Sequence, residues 1–160
     1  MKVPQTRVMH ILDAHHIPYR LLPHSEPVFT VEAAARQRGV VREEMVKSIL
    51  LRDRDGRYVM ACVPGDARLD LRAVRGHLPD GWKRLTFAAE EEIKTVTGSV
   101  QGAVAPLGLP GDVPVFFDES IAGMEKVNIS SGDPMAGLEL APGDLIRAAG
   151  AQLAPIVDKG

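Results

Sequence analysis

One lysine within an apolar run is the residue of this sequence best placed to take part in chemistry. Lys47 lies in residues 46–52, which read as a β-strand, and it shares one face of that strand with Ile49 and Leu51. The other face is also mostly apolar, so neither face is plainly exposed to water. A desolvated ammonium group is costly without a partner, and such a lysine often marks a functional site. The sequence alone still favours the simpler alternative, a lysine near a strand end whose ammonium group reaches solvent.

A second candidate is the small-residue segment 97–108. Gly98 and Gly102 carry no side chain, so a ligand can approach the backbone closely, and exposed amides there could donate to a carbonyl or an oxyanion. The segment is not a Walker loop, because no Gly-Lys-Ser/Thr follows it. A tightly packed bend in a sheet explains the same spacing, and on spacing alone it is the more frequent case.

A third candidate is the turn that follows a predicted strand over residues 126–130. Ser130, Ser131 and Gly132 offer hydroxyls and backbone amides that could line a cleft. Turn chemistry alone also accounts for these residue types, and we consider it the more frequent explanation.

Other catalytic chemistries have weaker support. The five histidines show no H-x-x-x-H or H-E-x-x-H spacing, so we expect no zinc site, and no G-x-S-x-G elbow is present. Cys62 lies within an apolar strand and is expected to be a buried structural thiol. The sequence therefore predicts neither a metal nor a cofactor.

The composition favours a small globular protein of a reducing compartment. The chain has 160 residues, 45% of them hydrophobic and 4% aromatic, which suits one domain over residues 1–160 with an aliphatic core. Its single cysteine cannot form an internal disulfide, and Met1–Arg7 lacks the apolar region of a secretion signal. No stretch approaches the apolar length of a membrane span. We therefore expect a cytoplasmic protein without a membrane partner.

The formal net charge of −2 argues against a protein that grips a long nucleic-acid backbone. Such proteins are usually basic, because counterion release supplies much of their affinity. We expect no DNA partner. An RNA partner would be contacted at few phosphates, or held in part by a second protein.

Turn and capping residues predict helices and strands in alternation. Asp53–Gly56 has the composition of a hairpin turn, and Thr30, Asp70 and Thr86 are predicted helix caps. The first of these helices begins after Thr30 and ends at Gly39, and the second runs from Asp70 to His77. A third is predicted over 87–96, and a fourth from Asp144 to Ala149. Extended segments are predicted over 17–23, 46–52, 57–63, 99–105, 114–117, 126–130, 137–140 and 153–157. This order implies a mixed α/β fold, with a mixed sheet flanked by helices.

Four groups of residues, each a weak signal, form a pattern that covers about residues 24–150. In chain order they are Val46-Lys47-Ser48-Ile49-Leu50; Val63-Pro64-Gly65 with Leu69-Asp70-Leu71; Thr97-Gly98 with Gly102-Ala103-Val104-Ala105-Pro106-Leu107-Gly108; and Asn128-Ile129-Ser130-Ser131-Gly132 with Leu138-Glu139-Leu140-Ala141-Pro142-Gly143-Asp144-Leu145. Taken together, they resemble the YbaK/EbsC family, which is similar to the editing (INS) domain of bacterial prolyl-tRNA synthetase.

The resemblance implies a single mixed α/β domain built around a curved, barrel-like sheet. It also implies metal-independent hydrolysis of the ester that joins a wrong amino acid to the 3′ end of a tRNA. The lysine of the family falls on Lys47, and its Gly-x-x-x-Pro motif falls on Gly102 and Pro106. Editing domains of the synthetase type also carry a His in the later motif, where this chain reads Ser131-Gly132-Asp133-Pro134, and this difference leaves the substrate preference open.

On this interpretation Lys47 is the catalytic residue and orients the ester, while amides near Gly102 and Ala103 meet the developing oxyanion and water attacks. The substrate-binding residues would be Gly102, Ala103, Pro106, Ser130, Ser131 and Gly132. Small residues in this set suit Ala, Cys or Ser on a tRNA, with tRNA-Pro the first choice. The implied partners are the tRNA acceptor end and an aminoacyl-tRNA synthetase.

Two other classes of function stay open at this point. A non-catalytic module of the same fold would bind aminoacyl ends or a small ligand without turnover. A hydrolase of another acylated small molecule would cleave simple esters without tRNA.

Overall fold

The computed structural model describes residues 5–160, in which helices and strands alternate along the chain. Residues 1–4, on which the expectation of no secretion signal partly rests, lie outside this range. The helices are α1 Arg7–Ala14, α2 Val31–Arg38, α3 Leu71–Gly76, α4 Glu90–Thr97 and α5 Pro142–Ala149, with 3₁₀ turns at Arg42–Glu44 and Glu119–Gly123. The strands are β1 Arg20–Pro23, β2 Val46–Arg52, β3 Tyr58–Pro64, β4 Thr86–Phe87, β5 Val115–Asp118, β6 Val127–Ser130, β7 Ala136–Leu140 and β8 Gln152–Ala154. None of the described helices is long and apolar enough to cross a lipid bilayer.

The strands of residues 5–160 form two sheets. The larger sheet has the order β4-β2-β3-β5-β8, antiparallel from β4 to β3 and parallel from β3 to β8. The smaller sheet is antiparallel with the order β1-β7-β6. A parallel bridge between Met45 and Asn128 links the start of β2 to β6. The prediction of a mixed α/β fold is confirmed, with its sheet divided into these two parts.

The larger sheet is buried on both faces. Val46 and Leu50 of β2 belong to one apolar cluster, whereas Leu51 and its neighbour Val59 on β3 belong to a second cluster on the opposite face. A strand buried on both faces is apolar throughout rather than alternating. This double burial explains why the sequence of β2 shows no polar face around Lys47.

The hairpin of β2 and β3 is confirmed, in register from Val46↔Pro64 to Arg52↔Tyr58. Its turn is organised by the fully buried carboxylate of Asp53, which accepts hydrogen bonds from the amides of Asp55, Arg57 and Lys83 at 3.0 to 3.1 Å. The Arg57 guanidinium donates to the same carboxylate at 2.7 Å. Burial alone would raise the pKa of Asp53, but these hydrogen bonds and the charge of Arg57 outweigh it and hold the pKa at about 2.

Two of the three predicted helix caps are confirmed. The Thr30 hydroxyl accepts the Ala33 amide at 3.1 Å, and the Asp70 carboxylate accepts the amides of Arg72 and Ala73 at 3.1 Å. Each cap satisfies donors that the first helical turn leaves unpaired.

The prediction that Thr86 caps a helix over residues 87–96 is wrong. Thr86 and Phe87 form β4, which pairs with Arg52 and Leu51 at the end of β2. Helix α4 begins at Glu90, where the amide of Ala89 donates to the Glu92 carboxylate at 3.0 Å. The backbone of Thr86 is therefore committed to strand pairing, and the first helical turn begins after it.

Three further boundaries differ from the sequence prediction. Residues 99–105, predicted to be extended, form a turn and irregular backbone without a strand partner in the described chain. Helix α5 begins at Pro142 rather than Asp144, because proline suits the first helical turn, where no intrahelical acceptor is needed. The last strand ends at Ala154, and Val157 makes only an isolated bridge with Leu69.

Candidate active site

A cavity of about 600 Å³ lies where the two sheets diverge. Residues 46–50 of β2 all line it, because on this edge the described strands leave a gap. One end of the gap is closed by the Met45–Asn128 bridge, and the other end by β4, which pairs only with Leu51 and Arg52. The Leu50 carbonyl accepts the Ala88 amide at 3.0 Å, so the backbone groups of Leu50 point to this edge. Residues two apart in a strand direct their backbone groups to the same edge, and those of Ser48 therefore face the cavity.

Lys47, Gly102 and Ser130 line this one cavity although they are far apart in sequence. This is the convergence that the sequence interpretation requires. Their roles in catalysis and binding remain predictions, which the contacts of each side chain now constrain.

Lys47 is half-buried and lacks a charged partner. Its Nζ donates to the Ala67 carbonyl at 2.7 Å, and no carboxylate of the described chain lies within the 4.0 Å of an ion pair. Burial lowers the pKa of Lys47, while the more distant charges of Glu32 and Asp66 act in the opposite direction. An ammonium group has three donors, so a single protein acceptor leaves capacity for a ligand.

Gly102 is exposed and lies against the backbone of Phe29. Its φ is +87°, and a Cβ atom there would lie 2.8 Å from the Phe29 Cα, so no side chain fits. The amide of Ala103, which the sequence interpretation assigned to the oxyanion, instead donates to the Val100 carbonyl at 3.0 Å. Ala103 is also buried, so of these two amides the one at Gly102 is left without a backbone acceptor in the described chain.

Ser130 connects two walls of the cavity. Its hydroxyl donates to the Ala103 carbonyl at 2.8 Å and accepts the Gly132 amide at 3.1 Å. A serine hydroxyl has one proton to donate, and here a backbone carbonyl takes it. Ser130 is therefore tied to the segment that carries Gly102, and its direct contact with substrate stays a prediction.

Ser131, Gly132 and Pro106 lie outside the Lys47 cavity. The Ser131 side chain is fully buried and donates to the Ala136 carbonyl at 2.8 Å, closing the turn between β6 and β7. Ser131 and Gly132 line a separate cavity of about 280 Å³ beside Thr97. Pro106 lines a third cavity of about 440 Å³ beside the start of β5. The structure does not bring these three residues to the cavity that Lys47 lines, and their role in substrate binding stays a prediction.

Arg38 is a second cation in the Lys47 cavity, and nothing in the sequence distinguishes it from an ordinary basic residue at a helix end. Its Nε donates to His24 Nε2 at 3.1 Å and its Nη1 donates to Asn128 Oδ1 at 2.8 Å. Neither partner is an anion, and burial lowers the pKa of Arg38 to about 10, which leaves it charged at neutral pH. His24 Nδ1 lies 2.7 Å from the Pro134 carbonyl and must donate to it, so its Nε2 is the acceptor and the ring is neutral.

Two exposed phenylalanines and one carboxylate also line the cavity. Phe29 is 55% exposed and Phe87 is 63% exposed, which is unusual for large apolar side chains. Glu90, at the start of α4, is the one carboxylate among the described lining residues and is exposed. The sequence did not indicate these three residues, because they come together beside β2 only in the folded chain.

Cys62 is buried, as predicted, and burial raises the pKa of its thiol to about 12. A thiol in this state is almost fully protonated at neutral pH and is a poor nucleophile. Within residues 5–160, no three His, Cys, Asp or Glu side chains are grouped so that they could hold a metal ion.

The fold and the cavity define a class of small mixed α/β proteins whose site combines two cations, Lys47 and Arg38, with an exposed glycine backbone. Comparison with known proteins gives the family. Residues 25–148 match the model of the aminoacyl-tRNA editing domain. Prolyl-tRNA editing protein ProX from Acetoanaerobium sticklandii is 30% identical over 139 residues, which cover 84% of this chain and 83% of ProX. EbsC from Enterococcus faecalis, named as a candidate Cys-tRNA(Pro)/Cys-tRNA(Cys) deacylase, is 24% identical over 157 residues, 97% of this chain and 94% of EbsC.

A solved structure agrees with these sequence matches. It is described as a candidate trans-editing enzyme for prolyl-tRNA synthetase, and it superposes with a TM-score of 0.81 at 28% identity, covering 99% of both chains. The chain belongs to the aminoacyl-tRNA editing domain family. The resemblance found in the sequence is therefore confirmed, and the protein is a hydrolase that removes amino acids from mischarged tRNA.

Proposed function

We propose that this protein acts in trans on tRNA-Pro that carries a small wrong amino acid, and that Lys47 is its catalytic residue. The observation that carries this proposal is the convergence of an unpaired ammonium group and an open glycine backbone on one cavity.

The contacts support a division of labour between two groups. The Lys47 ammonium has donors to spare and orients the ester through its carbonyl oxygen or the neighbouring phosphate. The Gly102 amide, free of a backbone acceptor in the described chain, donates to the oxyanion that forms when water attacks the ester carbon. Fixed donors of this kind stabilise developing charge without reorganising, and removal of one typically costs about 10²–10³ in rate.

Water is the nucleophile in this proposal. Most of its activation comes from being held in position next to the ester carbon. Glu90, the one carboxylate among the described lining residues, is exposed and is assigned no role as a base. Holding water and ester together in one geometry can itself contribute a large part of the acceleration.

The size of the cavity suits the whole aminoacyl end of a tRNA. A volume of about 600 Å³ falls within the range of sites that enclose drug-sized ligands, about 300–1,000 Å³, so it exceeds the need of a short side chain alone. We infer that the terminal adenosine enters with the amino acid. Phe29 and Phe87 then offer exposed ring faces on which unpaired bases can stack.

The amino acid is expected to be small, with Cys, Ala and Ser as candidates. A synthetase pocket discriminates a missing methylene by only about 1–3 kcal/mol, so such errors need a second site that removes them. The names of the relatives ProX and EbsC point to tRNA-Pro and to Cys. A prolyl-tRNA synthetase is the natural partner, because it holds the tRNA on which the error is made.

The deciding experiment measures turnover on a panel of charged tRNAs. Purified protein is incubated with tRNA-Pro carrying labelled Ala, Cys, Ser or Pro, and loss of label from the tRNA is followed. We expect hydrolysis of at least one of the first three and little of Pro-tRNA-Pro. Binding without turnover across the panel would instead identify a non-catalytic module, and equal cleavage of simple amino-acid esters would identify a general esterase.

A further inference from the structure

A second concave surface of the molecule is lined by four arginines. It has a volume of about 510 Å³ and lies between α3, the segment that precedes it and the residues that precede β4. We call it the arginine groove, and its cations are Arg68, Arg72, Arg75 and Arg84. All four side chains are exposed.

The positive charge of the groove is only partly compensated. Its two carboxylates are Asp70, already engaged in capping α3 at 3.1 Å, and Asp158, which is 3.9 Å from Arg68. The side chains of Arg72 and Arg84 make no hydrogen bond or ion pair to other residues of the described chain. Four guanidinium groups thus face two carboxylates in a chain whose formal net charge is −2. Such a local excess is the electrostatic pattern of a phosphate-binding surface.

The groove begins next to the catalytic cavity. The Lys47 ammonium donates to the carbonyl of Ala67, and the following residue, Arg68, is the first arginine of the groove. Arg68 and Asp70 are held against the C-terminal segment by backbone hydrogen bonds from Asp158 to Arg68 at 2.7 Å and from Asp70 to Ile156 at 2.8 Å. A strand that leaves the cavity past Ala67 therefore meets Arg68, whose backbone is held in place, and then the other arginines of the groove.

We propose that the arginine groove binds the phosphate backbone of the tRNA acceptor stem while the aminoacyl end occupies the Lys47 cavity. This inference rests on the proposed function for the identity of the ligand. Guanidinium groups suit phosphate, because their paired donors match two phosphate oxygens. The few phosphate contacts that a chain of net charge −2 can make are concentrated at this one place.

The test neutralises Arg72 and Arg84, whose side chains make no hydrogen bond or ion pair within residues 5–160. In the double variant R72Q/R84Q, we expect KM for charged tRNA to rise about tenfold at low salt while kcat stays unchanged. The slope of log KM against log salt concentration should fall by about 2, since each lost phosphate contact removes about 0.9 from it. A minimal substrate, the aminoacyl ester of adenosine, lacks the acceptor stem and should be cleaved equally by both proteins.

The matched control is R36Q/R54Q, which changes the net charge equally at two exposed arginines outside the groove. An equal rise in KM and an equal change of slope in this control would overturn the proposal, because net charge alone would then explain the effect. Unchanged KM and slope in R72Q/R84Q would also overturn it.

Binding of uncharged tRNA, followed by fluorescence anisotropy, keeps this test separate from catalysis. If no charged tRNA is hydrolysed, the proposed function fails, but a selective loss of tRNA affinity and salt slope in R72Q/R84Q still supports the groove. Identical anisotropy curves for the wild type and both variants contradict it.

Discussion

Two charged side chains lie at opposite ends of β2, and the structure satisfies them in opposite ways. Asp53, just after the strand, is completely buried and receives hydrogen bonds from three backbone amides and the Arg57 guanidinium. Lys47, near the start, is half-buried and has one neutral acceptor, the Ala67 carbonyl. The pKa of Asp53 is lowered because its charged form is well solvated by the protein, whereas burial lowers the pKa of Lys47 by disfavouring its charged form.

The difference separates a charge that holds the fold from a charge that is available to a ligand. Both carboxylate oxygens of Asp53 accept hydrogen bonds from its own turn or from Lys83, so the carboxylate is committed to the fold rather than to a substrate. Lys47 retains unused donors and faces a cavity. The way a charge is satisfied is thus more informative about function than its burial. Of the two groups, Lys47 is the one that we expect to matter most for activity.

Replacing Lys47 with Ala should lower kcat/KM for the hydrolysed tRNA by about 10²–10³, because a fixed donor to the reacting group is lost. Thermal stability should change little, because the ammonium group makes one protein hydrogen bond and its partial desolvation opposes that gain. Single-turnover deacylation and a thermal melt of the same preparation measure both quantities. Lys94→Ala, at an exposed lysine of α4, is the matched control. A Lys47→Ala protein that folds normally and retains the wild-type rate would remove Lys47 from the catalytic role.

Asp53→Ala should show the reverse pattern. Loss of the carboxylate leaves several buried donors without an acceptor, and we expect about 2–4 kcal/mol of destabilisation. The rate per folded molecule should be preserved, because the turn lies at the far end of β2 from Lys47. Denaturant unfolding and deacylation assays below the melting temperature test the two statements, with Asp55→Ala, in the same turn but exposed, as control. A large loss of rate in stable Asp53→Ala protein would mean that the two ends of β2 are not separable.

The sequence was informative where local chemistry decides the structure. The hairpin, the caps at Thr30 and Asp70, and the embedded position of Lys47 all follow from residues close together in the chain. Thr86 was misassigned because the edge of β2, remote in sequence, pairs with its backbone.

Sequence patterns did not predict which residues line the cavity. Arg38 looks like an ordinary basic residue at the end of α2, and only the folded chain brings its side chain to Asn128 of β6 and to His24, which follows β1. The cavity itself exists because β2, within residues 5–160, lacks a paired strand over part of one edge, which is a property of sheet topology. Pro106 was assigned to the substrate from the family motif, whereas Ser131 and Gly132 were first proposed from the turn after a predicted strand. Neither pattern specifies which cavity a residue faces.

Phe87→Ala should weaken substrate binding. We expect this effect to be smaller than the loss of rate in Lys47→Ala and the loss of stability in Asp53→Ala. Stacking of a base on an aromatic ring contributes about 1–3 kcal/mol, so KM for charged tRNA should rise about tenfold with kcat little changed. Stability should be nearly unaffected, because the side chain is 63% exposed. Leu153→Ala, which removes another exposed apolar side chain outside the cavity, is the control and should leave KM unchanged. If Phe87→Ala behaves like this control, the bases do not stack at this wall.

The smallest expected effect is a pH dependence that arises at His24. Burial lowers the pKa of His24, with the nearby charge of Arg38 acting in the same direction, while the hydrogen bond with Pro134 and the charge of Asp133 oppose them. Folding disfavours the protonated ring. The stability contributed by the neutral His24 ring is therefore complete above the unfolded pKa of about 6.5, and it is lost as the pH falls through the lower folded pKa. Below that point, the ring can no longer accept from Arg38, and two cations face each other.

NMR titration of the His24 ring measures this folded pKa directly, and thermal melts from about pH 7.5 to about pH 5 measure its consequence. We expect His24→Gln to be less stable than the wild type at the upper pH but to lose less stability on acidification. His77→Gln, at an exposed histidine, is the matched control. A His24 ring that titrates at or above its unfolded value would contradict this account, since the neutral tautomer that accepts from Arg38 would then have no energetic preference in the fold. That result would also remove the physical reason for Arg38 to stay fixed beside the cavity while its charge remains open to a ligand.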